Sequence, residues 1–207
     1  MPSLRFKTFS FPGDPHTYIA PSWEAMGELN FELIKQVYLS EKKYDVVVAL
    51  AKGGWTWARA FVDGLGMDEL ASLRIKLYKG INAKSDKPEI TQPLSVDVSG
   101  KTVLLFDDVV DSGETYKYAK ELLLKEYKAL QVDTAALFWK PKTAALTPTF
   151  SGAETDAWVV FPHEVNEFVS EAGSSWRAGG LTDLEILDRF EQMGLPSKQA
   201  EFYLAKL

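Results

Sequence analysis

The stretch that decides the fold is Val103-Leu104-Leu105-Phe106-Asp107-Asp108-Val109-Val110-Asp111-Ser112-Gly113-Glu114-Thr115. Four apolar residues without alternation describe a strand buried on both faces, as the strands of parallel sheets are. Two adjacent carboxylates, Asp107 and Asp108, arrive at its C-terminal end, where open α/β sheets bind their ligands. Asp-Ser-Gly-x-Thr then opens a helical pattern that runs from Glu114 to Tyr127. Hydroxyls, a glycine that lets the backbone approach and the first amides of a helix together suit an anionic phosphate. Two carboxylates beside such a cradle would repel that anion on their own. They fit if they accept hydrogen bonds from sugar hydroxyls and a magnesium ion nearby offsets the charge.

Upstream, DVVVAL (45–50) is a second continuous apolar run, followed by Ala51-Lys52-Gly53-Gly54 and a helical pattern from Trp55 to Leu65. The paired glycines permit a tight turn and close approach of amides to an anion, and Lys52 adds a mobile positive charge. A plain glycine turn with a solvated lysine would read the same way in isolation. Trp23, Met26, Leu29, Leu33, Ile34 and Val37 recur at helical spacing after Pro21-Ser22. LRIKLY (73–78) alternates as a strand does, and the polar stretch 80–100 that follows, with two prolines, reads as a functional loop or a short hairpin.

Downstream, VDTAALFW (132–139) and DAWVVF (156–161) read as strands and Val165–Glu171 as a short helix. Strands alternating with helices imply βαβ units, hence an α/β fold with a mostly parallel twisted sheet flanked by helices. The tail differs. TDLEILDRFEQM (182–193) and PSKQAEFYLAKL (196–207) carry two apolar helical stripes and predict a hairpin. Its mixed charge disfavours a DNA-reading module.

Composition narrows the classes. At 207 residues, 46% apolar and 25% charged, the chain fits one domain with a small appendage. A net charge of −6 argues against a general nucleic-acid binder. The absence of cysteine excludes disulfides and thiolate metal sites and fits a cytoplasmic address. With only His16 and His163, zinc is disfavoured. No apolar run approaches the roughly 20 residues that span a bilayer.

Residues 103–115 resemble, over thirteen positions, the phosphoribosyl pyrophosphate (PRPP) motif of type I phosphoribosyltransferases. The resemblance implies that Asp107 and Asp108 sit against the ribose hydroxyls of PRPP. It implies that Asp111, Ser112, Gly113, Glu114 and Thr115 hold the 5-phosphate. In the 6-oxopurine branch the residue matching Asp111 lies near N7 of the base and is the general base. Adenine and uracil enzymes usually carry Ala-Thr-Gly-Gly there.

Ala51-Lys52-Gly53-Gly54 resembles the family's pyrophosphate loop, which often holds a cis peptide before its basic residue, and Lys52 would assist the leaving group. Residues 80–95 stand where the family has a flexible catalytic loop, without the Ser-Tyr pair common in the purine enzymes. Lys140, after Phe138-Trp139, matches the lysine that contacts O6. Trp158 matches the aromatic residue that stacks on the base, Val159 a backbone that reads its edge. Glu164 resembles an acid near the exocyclic group or the pyrophosphate magnesium. Taken singly, Trp158 reads as core and Lys140 as a solvated lysine.

The resemblance therefore implies Mg²⁺ brought by PRPP, near Asp107, Asp108 and Glu164, and transfer of phosphoribose to N9 of guanine, hypoxanthine or xanthine. It also implies a homo-oligomer, dimer or tetramer, with no membrane partner. The expected organisation is a phosphoribosyltransferase domain with its hood over 1–178 and a helical appendage over 179–207. A PRPP-binding regulator on the same fold, or an enzyme for another base such as orotate, are the alternatives. Trp55 and Trp57 are expected to pack a helix on the sheet. Phe6, Phe9 and Phe11 are expected in an edge strand or flap, Lys42-Lys43, Lys84 and Lys87 in solvent, and His163 in a structural role.

Overall fold

The computed structural model describes residues 5–76 and 88–207. In chain order the elements begin with β1 (Thr8–Ser10), β2 (Thr17–Ile19), α1 (Trp23–Leu39), β3 (Val46–Leu50) and α2 (Trp55–Leu65). They continue with β4 (Leu70–Lys76), β5 (Glu89–Gln92), β6 (Thr102–Val110), α3 (Glu114–Lys125) and β7 (Gln131–Trp139). The last are β8 (Phe150–Glu154), β9 (Trp158–Val159), α4 (Val165–Ala178), α5 (Asp183–Gln192) and α6 (Ser197–Leu204). The chain divides into two compact units, one centred on Glu28–Asp156 and one joining the N-terminal residues up to Gly27 to Ala157–Leu207.

The first unit is an α/β layer structure around a six-stranded sheet of order β5-β4-β3-β6-β7-β8. Its strands are parallel, apart from β5, which runs antiparallel to β4. Every residue of β3 is buried, as its unbroken apolar run requires. Alternate residues serve opposite faces. Val46, Val48 and Leu50 of β3 join Val103 and Leu105 of β6 in one core with Tyr116, Ala119 and Leu123 of α3. On β6, Phe106 instead stacks on Phe61 of α2, with ring centroids 4.6 Å apart. Helix α2 closes on α1 at Gly64, where a Cβ would meet Ile34 Cδ1 at 2.5 Å. The strand carrying the two acids is thus clamped between helices on both sides.

A polar cluster ties Lys42 into this unit rather than leaving it in solvent. Its ammonium donates to Asp133 at 2.9 Å, beside donors from Tyr44 at 2.7 Å and Gln131 at 3.1 Å. Burial works to raise the Asp133 carboxyl, and these donors outweigh it, so it lies below its ordinary value. A depressed value contributes stability above the unfolded pKa that is lost as pH falls through the folded one. Trp57 is buried as expected, whereas Trp55 is 44% exposed. Positions two apart on a helix face roughly opposite ways.

The second unit holds a small sheet of order β1-β2-β9 and the helices α4, α5 and α6. The expected strand 156–161 shortens to β9, because its partner β2 offers only the pairs Tyr18↔Trp158 and Ile19↔Val159. The outer strand of the main sheet is instead β8, whose Phe-Ser-Gly-Ala-Glu carries little strand signal. Helix α4 runs to Ala178 rather than Glu171, through weak helix formers at Gly173-Ser174-Ser175. Phe168, Ala172 and Trp176 keep its buried face continuous, and a Cβ on Gly173 would sit 3.0 Å from Leu204 of α6.

Phe11, Tyr18, Ile186 and Phe190 complete that core, and a capping box between Thr182 and Glu185 starts α5. Phe9 lies on β1, at the edge of the small sheet. Of the polar stretch 80–100, Glu89–Gln92 form β5, and residues 80–87, with Lys84 and Lys87, lie outside the described residues. Among the described residues no helix is long and apolar enough to cross a membrane.

Phe61→Ala removes the ring that supports β6 just before its acids. It should cost about 3–5 kcal/mol, measured as a lower midpoint of urea unfolding.

Candidate active site

Strands β3, β6 and β7 point their C-terminal ends the same way, so the segments that follow them gather at one edge of the sheet. After β3 the Ala51–Lys52 peptide is cis. A Cβ on Gly53 would lie 2.5 Å from the Asp108 carboxylate. One on Gly54 would lie 2.9 Å from the Leu50 carbonyl and 3.2 Å from Asp107 Cα. A side chain at Gly54 would collide with backbone and one at Gly53 would have to displace the Asp108 carboxylate, so the loop lies flat against the acid pair. Gly54 N–H donates to the Leu50 carbonyl at 2.9 Å and begins α2 as its N-cap. Lys52 is left exposed beside the first turn of that helix.

Asp108 is 5% exposed and Asp107 half-buried. Burial pushes the Asp107 carboxyl well above the usual carboxylate range, and the neighbouring Asp108 charge adds to the effect. The backbone amides of Asp108 and Gly54 work the other way without reversing it. Beneath them the Tyr116 phenol is fully buried and donates to the Ala135 carbonyl. Burial, then the charges of Asp107 and Asp108, raise the phenol too, so it stays protonated.

After β6, Gly113 takes φ +76° as the N-cap of α3, a left-handed conformation that favours glycine. Glu114 N–H donates to Ser112 Oγ at 3.3 Å, and the amides of the first helical turn follow. Such amides lack intrahelical acceptors and carry the positive end of the helix dipole, which suits the turn to an anionic group.

The segment after β7 closes over this loop. Lys140 N–H donates to the Val110 carbonyl at 2.9 Å and Ala145 N–H to the Ser112 carbonyl at 2.8 Å. Lys140 Nζ pairs with Asp111 Oδ2 at 2.8 Å, with the lysine side chain 15% exposed and the aspartate 56%. Thr143 Oγ1 donates to Asp111 Oδ1 at 2.9 Å, with the Asp111 carbonyl at 3.2 Å. Lys142 pairs with Asp156 at 2.7 Å and anchors the turn. Sequence reasoning missed Thr143, because a threonine in a Lys-Pro-Lys-Thr turn carries no pattern. The available signal was its place three residues after Lys140, in the turn that returns to the Asp-Ser-Gly loop.

The structure therefore brings Lys52, Gly53, Gly54, Asp107, Asp108, the loop from Asp111 to Thr115 and Lys140 together in one unit. Trp158, Val159 and Glu164 belong to the other. There, half-buried Trp158 packs its ring against His16, with centroids 5.3 Å apart, and against Tyr18 and Phe168. Val159 is buried and pairs with Ile19. Glu164 is the N-cap of α4. His163 packs beside Phe161 and Trp23, and burial lowers its pKa, so the ring is neutral at pH 7.

The family model for the phosphoribosyl transferase domain matches residues 22–166. The xanthine-guanine phosphoribosyltransferase of Gluconobacter oxydans is 29% identical over 117 residues, 56% of this chain and 66% of that protein. The hypoxanthine-guanine phosphoribosyltransferase of Streptococcus pneumoniae is 28% identical over 120 residues, 58% of this chain and 64% of that protein. The match thus spans just under two thirds of either relative's length. A purine phosphoribosyltransferase structure from Pyrococcus horikoshii aligns with a TM-score of 0.62 at 30% identity, over 70% of this chain and 92% of that one.

The acid pair has a measurable signature. A carboxyl raised above its unfolded value holds its proton in the folded state, so stability falls as pH rises from the unfolded value through the folded one. Asp107→Asn carries no such proton. The variant's melting temperature should therefore gain on the wild type as pH rises from 4 to 8. Parallel curves across that range would show that the pair is not strained by charge.

Proposed function

The chain belongs to the phosphoribosyl transferase domain family, and we propose that it joins the 5-phosphoribosyl group of PRPP to N9 of guanine, hypoxanthine or xanthine, with release of pyrophosphate. The observation that carries this reading is the Lys140–Asp111 pair, an ammonium donor 2.8 Å from a carboxylate acceptor. A 6-oxopurine in its N7–H form presents the complementary edge, with O6 accepting and N7–H donating. Adenine presents a donating amino group and would leave the lysine facing another donor. A site built to pair such groups rejects the analogue that leaves them unpaired.

In the N7–H form the N9 lone pair is free to attack the anomeric carbon. The carbon–oxygen bond to pyrophosphate breaks, the new carbon–nitrogen bond forms, and Asp111 takes the N7 proton. Ser112 to Thr115 and the start of α3 would hold the 5-phosphate, while Lys52 and the amides of its loop favour the departing pyrophosphate. Asp107 and Asp108 would accept the ribose hydroxyls. Their oxygens also suit Mg²⁺, since they are hard donors whose mutual repulsion a divalent ion relieves. When bound with PRPP, magnesium supplies neutralisation of the pyrophosphate charge. The rate then comes from positioning and electrostatics rather than a covalent intermediate. We further read the protein as a cytoplasmic dimer or tetramer, with 1–178 as the transferase domain and 179–207 as its helical appendage.

Product formation from PRPP and Mg²⁺ with guanine, hypoxanthine, xanthine, adenine and orotate, each tested separately, checks the proposal. Nucleotide is expected from one or more 6-oxopurines and not from adenine or orotate. PRPP binding without nucleotide from any base would make the protein a regulator instead. Asp111→Asn should lower turnover about 10²–10⁴-fold, and an undiminished rate would remove Asp111 as the base.

A further inference from the structure

We propose that helix α1 carries a self-complementary seam on which a second copy of this chain docks, the two helices running antiparallel about a two-fold axis near Leu33. The inference rests on the reading of the protein as a homo-oligomer and gives that reading a surface. Helix α1 buries Leu29, Leu33 and Val37. That face lies on the outer strand of the main sheet, where a Cβ on Gly152 of β8 would sit 2.9 Å from Leu29 Cδ1. Gln36 Nε2 donates to the Ser151 carbonyl at 2.8 Å and fixes the helix there. The opposite face is therefore held outward, yet it carries Phe31, Tyr38 and Leu39, each more than half exposed. A helix that is apolar on its outer face as well as its inner one is a candidate for a partner.

The order of side chains along the outer face identifies the partner. Glu28, Phe31, Lys35 and Tyr38 follow at spacings of three, four and three residues, the stripe by which one helix meets another. Two copies laid parallel would set Glu28 against Glu28 and Lys35 against Lys35, like charge on like. Turned antiparallel about Leu33, the same stripe sets Glu28 against the partner's Tyr38 and Phe31 against the partner's Lys35. A phenol donates to a carboxylate, and an ammonium is attracted to the face of a ring. Each pairing occurs twice, because across a two-fold axis residue i meets j and j meets i. Within one chain Lys35 already lies 5.2 Å from the Phe31 ring centroid and pairs with Glu32 at 2.6 Å. Its ammonium thus stands at the seam, between its own ring and the one arriving from the second copy. A single helix pair covers less than the roughly 800 Å² per partner of a standard interface, which places the association in the micromolar range.

Sedimentation equilibrium from micromolar to submillimolar protein tests the seam. The wild type should associate, and Phe31→Lys, which sets lysine against the partner's Lys35, should weaken that association at least about 10-fold. Adding Lys35→Phe to Phe31→Lys exchanges the two positions about the axis and should restore association to within about three-fold of the wild type. The chain has no cysteine, so disulfide capture reports the register directly. Chains carrying only Glu28→Cys and chains carrying only Tyr38→Cys should cross-link several-fold faster when mixed than either does alone. Melting temperatures check that each variant is folded, and the cysteine capture decides the case if Phe31→Lys is not.

A wild type that stays monomeric over the whole range overturns both the seam and the oligomer reading. An oligomer that Phe31→Lys leaves unchanged refutes the seam, while the oligomer reading stands. If Phe31→Lys separates the copies and Lys35→Phe does not bring them back, the antiparallel pairing is wrong and the proposal falls. It falls equally if either cysteine chain cross-links with itself as fast as with the other.

Discussion

Asp107 and Asp108 are neighbours in the last half of β6, two residues short of its end, and burial beside a second carboxylate raises the proton affinity of Asp107. Like charges under a low-dielectric roof cost free energy that water would otherwise remove. The rest of the site is arranged around that cost. Gly53 and Gly54 let the loop after β3 lie against the acids without a side chain between. The phenol of Tyr116 stays neutral beneath them. On the proposed reading, a ligand with sugar hydroxyls and a divalent cation would add donors and an opposite charge to this arrangement.

Packing fixes where the pair sits. Phe106 meets Phe61 of α2 on one face of the sheet, and Leu105 joins the α3 core on the other. Helices on both faces thus hold one strand end, while loops that begin at that end supply the chemistry. On the proposed reading, the Lys140–Asp111 pair extends the logic from the sugar to the base. Two charged side chains 29 positions apart pair into a donor–acceptor edge, held in register by backbone bonds to Val110 and Ser112.

Much of this was legible in the sequence because the decisive signals are local. Residues 103–115 and 51–54 each sit at the end of an apolar run, and spacing alone places them at strand ends. The parallel sheet followed from runs such as Val46–Leu50, which leave no polar face. Other features were hidden by physics of longer range. Phe150–Glu154 gives no strand signal because its pairing with β7, not its composition, makes it a strand. Residues 156–161 looked like a longer strand because their apolar side chains serve a second, smaller core. Lys42 reads as solvent charge until the fold brings Asp133 from 91 positions away. Thr143 escaped for the same reason, since only the closed turn shows what its hydroxyl serves.

On the proposed reading, the edge formed by Gly53, Asp107, Asp108 and the first turn of α3 binds PRPP. Calorimetric titration of PRPP with Mg²⁺ into the wild type and Gly53→Ala tests it most directly, with melting temperature as a check on folding. The added methyl must displace the Asp108 carboxylate, which lies 2.5 Å away, so the wild type should bind and a variant that remains folded should bind about 10-fold more weakly or worse. A folded Gly53→Ala protein that binds PRPP as tightly as the wild type, or a wild type that binds none, would contradict it.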